Sequence, residues 1–195
     1  PKAYKAEFRA RFCEALLARY VLVVEGRTEF DAIPAAARRL NDLNPTEYKT
    51  LEALGVAVID AQTDAQVAPL GKFFRDLGKT VFAVFDKQEP AASAAIKAAV
   101  HHSFESAEKG FENVVLHHTA EAALRRYALS LVAENAWPNH LIAKTPNAAQ
   151  TVEQIRDALR QFFGWAKGSG DAGDLLGCCT EAEMPQYVRD TLRVI

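Results

Sequence analysis

Three carboxylates are spaced so that they can act together. Glu25 closes the apolar run Tyr20-Val21-Leu22-Val23-Val24, and Asp86 closes a second one, Thr80-Val81-Phe82-Ala83-Val84-Phe85. Glu29 follows Glu25 across Gly26-Arg27-Thr28. Short apolar runs rich in β-branched and aromatic residues read as buried strands. In an open parallel sheet, ligands bind beyond the carboxyl ends of the strands. Carboxylates gathered there repel one another unless a proton or cation sits between them. The pattern therefore points to a divalent-metal site. Gly26 makes the turn, and Glu29 falls in the first turn of the next helix, so both glutamates can face one point. On its own, Glu29 would simply be well placed at a helix N-terminus; Asp86 shifts the balance to a metal. Asp60, after the run Val56–Ile59, lies on the same edge, where capping the next turn suits it better.

The elements that must position these acids follow from the pattern. Residues Lys2 to Arg19 predict an amphipathic helix with Phe8, Phe12, Ala15 and Leu16 on one face. Thr28 can cap a helix running toward Leu40, with Pro34 requiring a late start or a kink. Asn41 to Pro45 reads as a loop, and a short helix near Tyr48 to Leu54 stops at Gly55. Helices over Ala65–Leu77 and Pro90–Ala99 separate the later strands, and Val100–Glu105 is a candidate fourth strand. Strands alternating with helices predict an α/β fold with a parallel sheet covered on both faces. The second half is helical, with His118–Glu134 as one helix, a break at Trp137-Pro138-Asn139, and Gln150–Phe163 as the clearest amphipathic segment. Thr180-Glu181-Ala182-Glu183 is a capping-box pattern opening a helical tail.

Bulk properties narrow the function classes. The 195 residues are 49% apolar and 25% charged, as in a globular domain. A net charge of −2 gives no basic field to hold nucleic acid, so metal ions would have to supply local positive charge. Cys13, Cys178 and Cys179 have neither metal-ligand spacing nor an even count, which favours incidental thiols in a reducing compartment. No stretch approaches the roughly 18 apolar residues of a membrane span, and a cytoplasmic setting is expected. The chain starts at Pro1 and its single methionine is Met184, so a piece of a longer protein is expected. The pairs His101–His102 and His117–His118 read as surface histidines, because neighbours on a strand face opposite ways. Trp137, Trp165, Phe162 and Phe163 can stack on bases but fit core packing better.

Val21-Leu22-Val23-Val24-Glu25-Gly26-Arg27-Thr28-Glu29 followed by Val81-Phe82-Ala83-Val84-Phe85-Asp86-Lys87-Gln88 resembles the Toprim domain of topoisomerases, bacterial primases, RNase M5 and OLD-family nucleases. The Glu-Gly-x-Thr-Glu form and Leu77-Gly78-Lys79 ahead of the third strand resemble the OLD family most. That resemblance implies residues 1–116 as a Toprim α/β core with its leading helix. Residues 117–195 would be a helical subdomain returning Lys167, of Lys167-Gly168-Ser169-Gly170, to the active site. It also implies an ABC-type ATPase region elsewhere in the same full-length protein, DNA as partner, and oligomers formed through the full-length protein. Toprim domains usually carry Asp-x-Asp where this chain has Asp86-Lys87-Gln88. Gln88 is neutral and would bind Mg²⁺ more weakly through its carbonyl oxygen. Glu105 and Glu112 are both candidates for the missing acid.

The chemistry implied is metal-dependent hydrolysis of phosphodiester bonds. Two Mg²⁺ or Mn²⁺ ions roughly 3.5–4 Å apart can activate water, stabilise the leaving oxygen and neutralise growing charge. Glu25, Glu29, Asp86, Gln88, Glu105 and Glu112 are the ligand candidates. Glu25 or Glu29 can also take a proton from the attacking water, with Lys167 a fixed cation beside the phosphate. Without the resemblance, Lys167 reads equally well as an exposed lysine in a glycine-rich loop. A Toprim site acting on RNA, or a degenerate regulatory or nucleic-acid-binding module, is the alternative that Gln88 keeps open.

Overall fold

Four parallel strands carry the fold: β1 (Tyr20–Val24), β2 (Val56–Asp60), β3 (Thr80–Phe85) and β4 (His102–Glu105), side by side in the order β2-β1-β3-β4. The computed structural model describes residues 2–166 and 170–195, with side chains from residue 10 onward. Lys167 and the expectation attached to it lie outside the described residues, as does the Phe8 side chain.

The chain runs from β1 outward to β2, then crosses back past β1 to β3 and on to β4. Strand order therefore reverses between β1 and β3, and such switch points open a crevice at the carboxyl edge. Register places Val24 beside both Asp60 and Val84, and Phe85 beside Glu105. The residues that follow Val24 and Phe85 are Glu25 and Asp86, one on each side of the crevice.

Alternation along the strands feeds two cores. Leu22, Val24, Phe82 and Val84 face α2 (Arg27–Leu43) and the C-terminal helices; Val21, Val23, Val81, Ala83 and Phe85 face α4 (Asp64–Asp76) and α5 (Pro90–Ala99). Both faces are thus covered, as continuous apolar strands require. α1 (Lys2–Leu17) lies on the second face through Phe12 and Ala15, while Leu16 is exposed, so the expected apolar stripe is narrower. Lys79 Nζ donates to the carbonyls of Leu16 and Ala18, both at 2.7 Å. It thereby satisfies backbone left open at the end of α1.

Several boundaries differ from the sequence reading. α2 begins at Arg27 with Gly26 as its N-cap, so Thr28 is inside the helix rather than capping it, and Pro34 sits in its middle. The helix runs on to Leu43 through the expected loop. α3 (Leu51–Leu54) is shorter than expected; Thr50 caps it and Gly55, at φ 70°, ends it in the left-handed region. The predicted helix His118–Glu134 is α7 (Glu121–Ala133), which starts three residues later because His118 closes a separate helix, α6 (Phe111–His118). Between them Thr119 and Ala120 are extended, and Ala120 N donates to Glu183 O at 3.0 Å. The expected division at 116/117 falls inside α6. α8 (Val152–Trp165) carries a complete Thr151–Gln154 capping box. α9 (Asp171–Gly177) packs on α2, with Gly173 so close to Asp31 and Ala32 that a Cβ there would meet backbone at 3.2 Å. The Thr180–Glu183 box caps a 3₁₀ turn, and α10 (Gln186–Val194) follows it. Phe162, Phe163 and Trp137 join the core, but Trp165 is 57% exposed.

Candidate metal centre

The first strand delivers Glu25 half-buried at the crevice. Its backbone N–H still pairs with Val84 O at 3.1 Å, so the residue extends the β1–β3 ladder by one step. One carboxylate oxygen, Oε2, accepts from Asp86 N at 2.9 Å and from Gln88 Nε2 at 3.0 Å. Burial raises the Glu25 pKa, and the Asp64 charge adds to this. Those hydrogen bonds and Lys109 pull the other way. Gln88 faces this carboxylate with its amide N–H₂, so its part here is donor to Glu25.

Glu29 sits one helical turn on and is 4% exposed. Burial first, and then the charges of Asp86, Glu112 and Glu25, raise its pKa to about 8. A lone buried carboxylate is costly to ionise. Burial and its acidic neighbours thus favour the protonated form of Glu29. Asp86, at the end of β3, is raised to about 6, first by burial and then by the charge of Glu25, with Gly110 N–H opposing. Its Oδ2 accepts from Gly110 N at 2.7 Å. Its Oδ1 is buried and has no hydrogen-bond partner. An orphaned buried oxygen on a carboxylate is costly to leave so.

Glu112 joins this group from the first turn of α6. Its Oε1 accepts the Thr28 hydroxyl proton at 2.6 Å, tying α6 to the start of α2. Thr28, read from sequence as a cap, instead orients this acid. Glu105 is placed differently. Its Oε1 accepts from Gln88 N at 3.1 Å, and its Oε2 from Ser93 Oγ at 2.6 Å and Lys97 Nζ at 2.7 Å. These donors, Lys97 foremost, lower its pKa to about 2. Asp60 holds the next turn through Gln62 N at 2.7 Å, where Gln62 adopts φ 71°.

The structure thus brings Glu25, Glu29, Asp86 and Glu112 into one electrostatic group and commits both oxygens of Glu105 to protein donors. Among the described residues, no three His, Cys, Asp or Glu side chains stand close enough, as placed, to enclose a metal ion. The donor set nevertheless fits a hard divalent cation: carboxylate oxygens suit Mg²⁺ and Mn²⁺. A cation would give the unpartnered Oδ1 of Asp86 a partner and favour the ionised form of Glu29. The histidines stay outside. His101 Nδ1 accepts from Val81 N, His102 stacks on Phe82, and His117 and His118 meet Glu108.

Three contributors escaped the sequence reading. Gly110, at φ 89°, aims its N–H at Asp86 from a conformation that favours glycine; a glycine directly before a helix start was the available signal. Lys109 acts on both Glu25 and Asp86. Tyr187, on α10, donates to Phe104 O at 2.7 Å, and its ionisation is opposed by burial and then by Glu29 and Asp86. Nothing in the sequence links positions so far apart.

Comparison with known proteins agrees with this fold. The family model described as "Overcoming lysogenization defect protein-like, TOPRIM domain" matches residues 16–87, the segment that supplies Glu25, Glu29 and Asp86. The solved C-terminal region of the Burkholderia pseudomallei OLD protein is similar over 91% of this chain and 96% of its own, at 18% identity and a TM-score of 0.63. That of the Xanthomonas campestris pv. campestris OLD protein is similar over 93% and 95%, at 17% identity and a TM-score of 0.63. At such identities the likeness is one of fold. No curated protein gives a significant match. Residues 16–87 thus match the OLD-like Toprim family model, and the chain as a whole shares the fold of OLD C-terminal regions.

Proposed function

We propose that this protein is a divalent-metal-dependent nuclease that hydrolyses phosphodiester bonds in DNA. The observation that carries the reading is the Glu25, Glu29, Asp86 and Glu112 group at the β1–β3 switch point, with one Asp86 oxygen buried and unpartnered. These residues would hold Mg²⁺ or Mn²⁺, two ions in the full site, with Glu112 in place of the second aspartate of Asp-x-Asp. When bound, such ions supply charge neutralisation at the phosphate and a lowered pKa for an attacking water. The protein's own part is to hold the acids in register from the ends of two paired strands. Glu25, free on Oε1 of the hydrogen bonds that hold Oε2, is the group placed to accept a proton from water. Lys167 remains a proposed cation at the phosphate. Cation binding would exchange the Asp86 N–H and Gln88 contacts of Glu25 for ion contacts.

The solved relatives are C-terminal regions of OLD proteins, and we infer the same place for this domain, beside an ABC-type ATPase in a cytoplasmic, oligomeric protein. Among the described residues, no helix is long and apolar enough to cross a membrane. The test is nicking of supercoiled plasmid with Mn²⁺ or Mg²⁺, against EDTA, with calorimetry of Mn²⁺ binding in parallel. Cation binding with DNA nicking supports the reading. Cation binding with cleavage of RNA alone moves the substrate to RNA. No cation binding at millimolar concentration makes the fold a binding module, the reading that Gln88 favours.

A further inference from the structure

A lysine, Lys109, lies on the loop after β4 beside the residue that binds Asp86, and the way that loop is fixed gives it a purpose. Ser106 N donates to Phe85 O at 2.9 Å, and Lys87 N to Glu108 O at 3.0 Å. Gly110 N donates to Asp86 Oδ2 at 2.7 Å. Within the loop, Glu108 N donates to Ser106 Oγ at 3.0 Å, and Asn113 Nδ2 to Lys109 O at 2.7 Å. Residues 106–110 are therefore held against the end of β3 by backbone on either side of Lys109. The Lys109 side chain itself is exposed, and none of the ion pairs among the described residues includes it. Its neighbour Glu108 is turned to His117 Nδ1 at 3.2 Å and His118 Nε2 at 3.4 Å. The next residue, Gly110, is bonded to the Asp86 carboxylate, so Lys109 is anchored one residue from the acidic group.

A group of acids that attracts a metal repels a phosphodiester. An approaching backbone needs a positive partner beside the acids, and a lysine on a fixed loop supplies a compact charge with three donors. We propose that Lys109 is a phosphate-binding residue, its ammonium taking a non-bridging oxygen of the nucleic-acid backbone beside the acidic group. The assignment rests on the nucleic-acid reading of that group and is distinct from any role of Lys167.

The test compares wild type with Lys109→Met and Lys109→Arg, using fluorescence anisotropy of a labelled DNA duplex in Ca²⁺ over a series of KCl concentrations. Plasmid nicking in Mn²⁺ and thermal melting run alongside. Lys109→Met is expected to weaken binding and to lower the slope of log K against log salt by about one. Nicking efficiency should fall by roughly tenfold, the melting midpoint should hold, and Lys109→Arg should restore the slope. A wild-type slope and affinity in Lys109→Met overturn the proposal, whether or not the enzyme nicks. A slope lowered in Lys109→Met, where wild type binds the duplex but does not nick, supports the phosphate contact and removes the nuclease reading instead.

Discussion

Asp86 and Glu105 end neighbouring strands of one sheet, on one edge, yet the fold treats them in opposite ways. Glu105 is given a lysine, a serine hydroxyl and a backbone N–H, and its pKa falls to about 2. Asp86 is given one backbone N–H on one oxygen, nothing on the other, and three acidic neighbours, and its pKa rises to about 6. Both residues are carboxylates at the carboxyl end of a buried strand, so position alone does not make a ligand. What separates them is whether the protein completes the hydrogen bonding. Glu105 is finished as a structural link between β4 and α5; Asp86 is left for something else to finish.

The largest effect that sharpens this contrast is on cleavage. Asp86→Asn keeps the shape and removes the charge, and should lower metal-dependent nicking more than about 100-fold. Circular dichroism should show the fold intact. Glu25→Gln should do the same. Retained nicking in both would dissolve the contrast.

Next in size is a pH dependence of stability. Glu29 and Asp86 have folded-state pKa values of about 8 and about 6, above their ordinary 4.5 and 3.8. A raised carboxyl pKa means that the folded state binds the proton more tightly than the unfolded chain, so stability is lost as pH climbs through this window. Without divalent cation, the melting midpoint should fall between pH 5 and about 8. Glu29→Gln should flatten that fall and melt higher than wild type at pH 8. Mn²⁺ should raise the wild-type midpoint most at the alkaline end and do little for Glu29→Gln, since binding shifts stability by mass action. A midpoint that rises with pH in the absence of metal would show that Glu29 is ionised without help.

Much of this was legible in the chain. β1 and β3 were readable to the residue, because buried parallel strands are continuous apolar runs with no face to leave polar. The acid that ends each run was legible for the same reason: it is the first polar residue after the core. Helix ends were less so. The stretch His118–Glu134 keeps helical periodicity across Thr119, and only the Ala120–Glu183 backbone contact, from far along the chain, shows why it breaks. Thr28 looked like a cap because local sequence shows the helix start and not Glu112, which reaches it from α6. How the fold occupies Glu105 was out of reach for a like reason. Its partners Lys97 and Ser93 lie on a helix that the sequence does place, at distances it does not.

Gln88→Asp asks whether the site tolerates the acid that Toprim domains usually carry. It removes the N–H₂ donor from Glu25 and puts a fourth charge beside Glu25, Glu29 and Asp86, so the metal-free protein should lose about 1–2 kcal/mol at pH 8. Mn²⁺ affinity by calorimetry should rise by about tenfold, since a carboxylate is a stronger ligand for a hard cation than an amide. Unchanged affinity would mean that position 88 does not look into the cation site.

The smallest effect tests the other half of the contrast. Glu105→Gln keeps an acceptor oxygen for Gln88 N, turns an amide N–H₂ toward Ser93 Oγ, which can accept from it, and deprives Lys97 of its charge partner. The cost should be about 1 kcal/mol in urea unfolding. Nicking should stay within about threefold of wild type, because the residue's oxygens face Lys97, Ser93 and the backbone of Gln88 and any change reaches Asp86 only through small backbone shifts. The decisive comparison is with Asp86→Asn in the same assay. If removing the Glu105 charge abolished nicking as removing that of Asp86 does, then Lys97 and Ser93 would be holding a ligand in waiting. Satisfied hydrogen bonding would then no longer distinguish a structural acid from a catalytic one at this sheet edge.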